Sequence, residues 1–302
     1  MRRVLKRIVE RTAVLAGSAR LARARHGHQT IILAYHNIVP RGESAVGDRS
    51  LHLSQDTFGA QLDALADTHD VVPLAQALGP GAGSRPRAVI TFDDAYRGTL
   101  TAGAEELARR RLPATVFVPP GRLGDQTFWW DALADRGTGE IPPSLRAQAL
   151  DTLAGRQDAV VAWATGQGMP LKPVPAHARS VTEPELAQAV RDWGLTLGSH
   201  SWSHANLARL DAAALHEEVT RPLEWLRARF ASPLAWLAYP YGRSNAEAES
   251  ALAASGYAAG LRVSGGFVPA TSVNAFALPR LNVPSGLSLD GFVLRVSGAV
   301  PG

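Results

Sequence analysis

The chain has no cysteine and only two methionines among its 302 residues. Without thiols there is no disulfide framework, no thiolate metal site and no cysteine nucleophile. Charged residues make up only 19% of the sequence. No stretch approaches 18 consecutive apolar residues, so no transmembrane helix is predicted. The longest uncharged run, 263–279, contains Gly, Ser and Pro and reads as strand plus loop. What the chain does have is apolar content: 46% hydrophobic residues at a mean hydropathy of −0.05. That suffices for a large core and argues against disorder. The length suits one large domain or two ordinary ones, and α/β barrels often use it as one.

The net charge of +4 conceals two unlike parts. Residues 1–30 carry eight basic groups against one acid, Glu10, a net of +7. The remainder holds 23 basic and 26 acidic residues, a net of −3. The high pI therefore belongs to an arm, residues 1–29, and a mildly acidic body, 30–302, argues against a nucleic-acid surface. Within the arm, Val4, Leu5, Ile8, Val9, Thr12 and Leu15 fall on one side at 100° per residue, with Arg2, Arg3, Lys6, Arg7 and Arg11 on the other. Two readings follow. A terminal helix docks its apolar stripe on the body with charges outward, which is the preferred one, or a basic amphipathic helix makes peripheral contact with an anionic membrane surface. Arg7, Glu10 and Arg11 interrupt the apolar segment a secretion signal requires. The expectation is a cytoplasmic protein, with the inner membrane face open to it through the arm.

In the body, short apolar runs alternate with amphipathic stretches. Strands are predicted at 31–35, 88–92, 115–118, 195–198, 235–239, 258–263 and 278–283. Helical patterns lie at 57–68, 100–111, 183–192, 212–229 and 246–254, and Ser54 is an N-cap candidate for the first, with Phe58, Leu62 and Leu65 as its buried stripe. Such alternation implies an α/β fold with a parallel sheet, and about seven strands imply an incomplete or distorted (β/α) barrel. One connection is too long. Residues 121–180 form a helical insertion of the kind that rims a site. Trp163 reads as insertion core. Trp129 and Trp130 read equally as core or as faces for stacking on sugar, and Trp130 is kept as a substrate-contact candidate.

Three segments carry chemistry. Ile90-Thr91-Phe92-Asp93-Asp94 places two adjacent carboxylates at a strand end, where catalytic groups of α/β barrels sit. Read blandly, they are helix-initiating acids. Gly198-Ser199-His200-Ser201-Trp202-Ser203-His204 also follows a strand, and histidines four apart can face one metal from a single helical turn. Tyr239-Pro240-Tyr241-Gly242 is a strand running into a turn able to present backbone N–H groups to an oxyanion. Two histidines, one carboxylate and an open position describe a hydrolytic zinc-type site, with the second carboxylate free as base.

These residues resemble the first three motifs of the polysaccharide deacetylase family, the NodB homology domain. Ala34-Tyr35-His36-Asn37-Ile38, Phe128-Trp129-Trp130-Asp131 and Leu278-Pro279-Arg280-Leu281 resemble features of its bacterial exopolysaccharide-cluster branch. The resemblance runs in order from about residue 31 to about residue 285. It implies a distorted barrel and metal-dependent removal of acyl groups, usually N-acetyl, from an aminosugar or polysaccharide. By position, Asp94, His200 and His204 would hold a divalent transition metal, with zinc the default and cobalt or nickel also suited. Asp93 would be the general base, and the Pro240–Tyr241 turn would supply the oxyanion contact through the Tyr241 N–H.

The chain departs from the family pattern in three places. Ala238 stands where the third motif often has an Arg that fixes the base, and Arg280 is the expected replacement. The late Leu-x-His that supplies a general acid is missing, and His36 is the candidate substitute. Ala95 stands in place of the first motif's Gly. His52, His69, His177 and His216 receive no role. Two other functions compete with the deacetylase: an amidase or deformylase on a smaller or lipid-linked substrate, and a non-catalytic glycan-binding relative that kept the fold.

Overall fold

A computed structural model describes residues 2–26, 29–78, 85–268 and 274–300. Part of the uncharged run, 269–273, lies outside the described residues. Among the described residues ten strands occur in chain order: β1 (Thr30–Tyr35), β2 (Asn37–Val39), β3 (His52–Ser54), β4 (Asp70–Val71), β5 (Arg87–Phe92), β6 (Thr115–Val118), β7 (Thr196–Ser199), β8 (Trp236–Ala238), β9 (Ala259–Leu261) and β10 (Leu281–Asn282). Seven of them form a parallel sheet in the order β10-β1-β5-β6-β7-β8-β9, with β4 paired beside β5. All seven predicted barrel strands are present. The short β2–β3 and β4 pairings had no sequence signal of their own.

The sheet curls into a distorted barrel, and one short segment joins its two edges. Leu281 pairs with Leu33 of β1, while Leu278 bridges to Leu261 of β9 and donates its N–H to the Gly260 carbonyl. Side chains alternate along each strand as the pleat requires. Ile32, Val89 and Phe117 pack inside the barrel with Trp236, Ala259, Leu261 and Leu278. Ile31, Leu33, Tyr35, Ile90, Phe92 and Val116 point outward under the helices. Thr91 and Asp93 share the parity of Val89, and therefore point inward.

The helix Gln55–Thr68 begins two residues before the predicted start, is capped by Ser54 as expected, and buries Phe58, Leu62 and Leu65 completely. At about 1.5–3 kcal/mol per buried large side chain, that stripe holds the helix on the sheet. The insertion between β6 and β7 has its own core, with Phe128, Leu133, Leu145, Leu150 and Val160 buried and Trp163 packed against them. It sits over the C-terminal ends of the strands.

The arm corrects the preferred expectation. Its first helix, Arg2–Leu15, does pack on the last one, Leu289–Val296, but not through the apolar stripe. The contact is polar: Ser288 Oγ donates to Glu10 at 2.6 Å, and Arg11 pairs with Asp290 at 3.5 Å. Glu10 meets the N-terminal turn of Leu289–Val296, where helix geometry favours an anion. With Glu10 turned inward, the stripe points outward.

Candidate active site

Each parallel strand ends at the same rim, and the side chains just past those ends line a pocket of about 270 Å³. The pocket gathers His36 after β1, Asp93 and Asp94 after β5, Trp129 and Trp130 from the insertion, His200 and His204 after β7, and Tyr241 after β8. Arg280 and Pro240 do not line it. Pro240 is buried in the 3₁₀ turn, and Arg280 lies beneath the floor, fully buried.

Arg280 meets Asp93 in a two-pronged pair, with each guanidinium NH2 group 2.7 Å from one carboxylate oxygen. A third bond, 3.1 Å, runs to Thr91 Oγ1, which in turn donates to the Leu33 carbonyl at 2.6 Å. The guanidinium carbon lies 5.4 Å from the Phe117 ring centre. The contact expected of Arg280 is thus made from inside the barrel. Burial pushes the Asp93 carboxyl up, but the adjoining Arg280 charge and the His200 ring outweigh it and hold the acid below its ordinary value.

Asp94 Oδ1 stands 3.0 Å from His204 Nε2 and 3.4 Å from His200 Nε2. One ligand atom from each of the three residues lies within 4.8 Å of the others, and all three residues are buried. His200 Nδ1 bonds the Ala238 carbonyl at 2.7 Å, which requires its proton there and leaves the Nε2 lone pair facing Asp94. Asp94 Oδ1 has no hydrogen-bond partner of its own. Two acceptors facing each other in a buried site repel unless a cation lies between them. Ligand atoms about 2.0–2.1 Å from one tetrahedral ion lie roughly 3.3 Å apart, which matches these separations. The donor set therefore fits a divalent transition metal.

Charge and burial divide the two histidines. Burial lowers His200, but Asp93 and Asp94 outweigh it and raise it above its ordinary value, whereas for His204 burial prevails and lowers it. Burial also opposes ionisation of Asp94, yet the His204 and His200 rings hold its carboxyl well below the carboxylate range.

The histidine pair does not sit on a helical turn. Residues 200–206 form a loop in which Ser201 (φ 60°) and His204 (φ 64°) are left-handed, so the spacing of four reflects a loop reversal. Glu218 secures this loop, accepting from the Trp202 and Ser203 N–H groups at 2.9 Å each. Asp94 (φ 71°), Ala95 (φ 53°) and Tyr241 (φ 59°) are left-handed too. Ala95 therefore occupies a conformation that favours glycine, at a cost of order 1 kcal/mol.

Aromatic rings wall the site. His204 lies 4.8 Å from the Trp130 ring and 4.7 Å from that of Tyr241, while Trp130 stacks on Phe128 at 4.6 Å. The Tyr241 hydroxyl accepts from Trp129 Nε1 at 3.1 Å and donates to the Gly155 carbonyl at 3.0 Å. Trp129 and Trp130 are thus both core and pocket wall.

Behind this wall runs a buried polar chain that the sequence reading missed. Trp130 Nε1 donates to Tyr96 Oη (2.7 Å), which donates to Asp131 Oδ2 (2.8 Å). Asp131 Oδ1 accepts from His52 Nε2 (2.9 Å) and from the Asp48 N–H (3.0 Å). The Asn37 amide joins the Nδ1 atoms of His52 and His177 at 2.9 and 3.0 Å. His52 and His177 therefore anchor the wall. Only the Asp in Trp130-Asp131 hinted at it.

The family model for polysaccharide deacetylases matches residues 81–260, more than half of the chain. The chain belongs to the polysaccharide deacetylase family. These are carbohydrate deacetylases, hence hydrolases, and of the motif positions quoted from the sequence His36, Asp93, Asp94, Trp130, His200, His204 and Tyr241 converge in the pocket, with Arg280 beneath it. Solved structures with this fold include a Streptococcus pyogenes deacetylase, PplD, in complex with acetate, at 16% identity and TM-score 0.61, covering 88% of this chain and 97% of that one. IcaB from Ammonifex degensii gives 16% and 0.60, covering 91% and 97%. A de-N-acetylase from Aggregatibacter actinomycetemcomitans gives 14% and 0.59, covering 90% and 100%. At such identities the likeness shows the fold. Among curated proteins none matches the sequence.

Proposed function

We propose that this deacetylase is a metal-dependent hydrolase that removes N-acetyl groups from an aminosugar, free or within a polysaccharide. One observation carries the reading: the buried Asp93–Arg280 pair stands beside the Asp94, His200 and His204 cluster on the floor of a single pocket. Asp94, His200 and His204 would hold the ion, zinc by ligand type with cobalt or nickel as alternatives. When bound, it supplies Lewis acidity and makes water a stronger acid.

The chain's own residues do the rest. Asp93, kept ionised and oriented by Arg280, takes the proton of the attacking water. The left-handed Tyr241 turns its backbone at the pocket wall, and its N–H faces the oxygen that gains charge. His36, lining the pocket across from the β8 turn, gives a proton to the departing amine. Trp130 and Tyr241 bound the volume available to the sugar. About 270 Å³ is small for a binding pocket and suits one acylated residue rather than several.

The test is elemental analysis of protein purified without chelator, alongside His200→Ala and Asp93→Asn. About one equivalent of transition metal is expected in the wild type, lost in His200→Ala and kept in Asp93→Asn. Acetate release from acetylated glucosamine oligomers should vanish in both variants. A wild type that neither carries nor takes up metal overturns the reading.

A further inference from the structure

The helix Arg2–Leu15 presents to solvent a face that the described body does not cover. Val4, Leu5, Ile8, Val9 and Leu15 are 56–71% exposed, and Leu21 of the next helix, Ser18–Arg25, is 60% exposed. Val4, Leu5, Ile8, Thr12 and Leu15 fall within an arc roughly 100° wide, the width of a stripe that is normally buried. Its centre lies opposite Glu10, which meets the body at Ser288.

One flank of the arc is basic. Arg11 is about two-thirds exposed with Arg7 exposed beside it, while Lys6 lies further round and pairs with Glu10 at 3.7 Å. Arg20 and Arg25 of the following helix are exposed as well. The segment's one acid, Glu10, is turned inward. This is an inversion of ordinary packing, in which the apolar stripe would meet the body and the acid would face water. The body is thereby left holding the helix by its polar side.

Charge decides what covers such a face. A second copy would bring two +7 segments together across the same seam. A membrane span is excluded by length: 14 residues rise about 21 Å against about 30 Å of hydrocarbon, and no helix among the described residues is long and apolar enough to cross a membrane. An apolar arc bordered by a basic flank, on a segment of net charge +7, suits an anionic interface. We infer that the helix Arg2–Leu15 is an in-plane anchor that seats the protein on a membrane surface containing anionic phospholipid. The apolar arc enters the acyl boundary, and Arg7 and Arg11 lie among the headgroups. Because Glu10 and Arg11 tie the helix to Ser288 and Asp290, the anchor also fixes the orientation of the barrel above the surface. The inference stands independently of the deacetylase reading.

The experiment uses the full chain and sedimentation with vesicles of phosphatidylglycerol and phosphatidylcholine in equal parts, or of phosphatidylcholine alone. Binding to the anionic vesicles is expected, at least about tenfold weaker without the anionic lipid, and weakened as salt rises from 0.1 to 1 M and the screening length shrinks from about 10 to 3 Å. Leu5→Glu with Ile8→Glu should reduce binding at least about tenfold while thermal unfolding and circular dichroism stay unchanged. Arg7→Glu with Arg11→Gln should erase the preference for anionic lipid. Equal sedimentation of wild type and the Leu5/Ile8 variant overturns the inference, as does wild-type protein that ignores anionic vesicles. So does analytical ultracentrifugation showing a dimer that the Leu5/Ile8 variant dissociates, with no lipid binding, which would make the face a self-association surface.

Discussion

The pair between Arg280 and Asp93 admits a quantitative test by a double-mutant cycle. Both side chains are buried, Arg280 completely and Asp93 with only its edge on the pocket, and their two 2.7 Å bonds satisfy charges that have little other solvation. Removing one partner of such a pair leaves the other charge uncompensated, at about 3–5 kcal/mol. For a domain of this size that is a fall in Tm of roughly 6–20 °C. Arg280→Gln and Asp93→Asn should each show it. Combined, they leave two neutral amides able to bond each other, so most of the loss should return, with a coupling energy of at least about 2 kcal/mol. Urea unfolding of all four proteins under saturating zinc measures the cycle. Metal content should be unchanged throughout, because Asp94, His200 and His204 are untouched. Acetate release should be lost in all three variants, and its persistence in the stable double variant would remove Asp93 from the chemistry. An Arg280→Gln cost below about 1 kcal/mol, or losses that simply add, would refute the reasoning about burial and pairing.

Three more outcomes are expected. In Gly155→Ala the new Cβ, at φ +64°, would stand 2.5 Å from the Tyr241 ring; turnover should fall at least about tenfold with metal content unchanged, and stability by about 1–3 kcal/mol. Asp131→Ala leaves Tyr96 Oη, His52 Nε2 and the Asp48 N–H without their acceptor, which at about 1–3 kcal/mol each should cost roughly 3–9 kcal/mol in urea unfolding and slacken Trp130. His69 is held neutral by burial, its pKa lowered to about 4 although the Val296 carbonyl opposes the shift. The unfolded chain takes up the proton first, near 6.5, so the stability from this group is complete above that pH. It is lost as pH falls towards 4, at about 1.4 kcal/mol per unit and roughly 3 kcal/mol over the window. Thermal melts of His69→Gln should flatten over this window relative to wild type; parallel curves would refute the assignment.

The strands were legible because parallel strands buried on both faces are short continuous apolar runs, and the site because its acids and histidines directly follow three of them. Arg280 could be named from a gap in the family pattern, since Ala238 stands where the third motif often has the Arg that fixes the base. The polar chain behind Trp130 was not legible. Asn37, His52, Tyr96, Asp131 and His177 come from separate segments, and each alone looks like an ordinary surface polar residue. Local pattern likewise cannot tell a histidine pair on a helix from one on a loop, because the left-handed turns at Ser201 and His204 belong to residues that usually avoid them. The arm failed for a related reason. Periodicity gives a helix two faces, and which one meets the body was decided by Ser288 and Asp290, far away in sequence.

The segment that joins the barrel's edges has a bearing on biosynthesis. Asp93 and its orienting Arg280 are 187 residues apart, and Arg280 follows every other site residue in the chain. A nascent polypeptide leaving the ribosome can thus hold both aspartates and both histidines while the barrel is still open and Asp93 still unsupported. On the proposed roles, competence for hydrolysis would come only with the closing strand, and a chain truncated before residue 278 is expected to retain the three candidate metal ligands without an ordered base beside them.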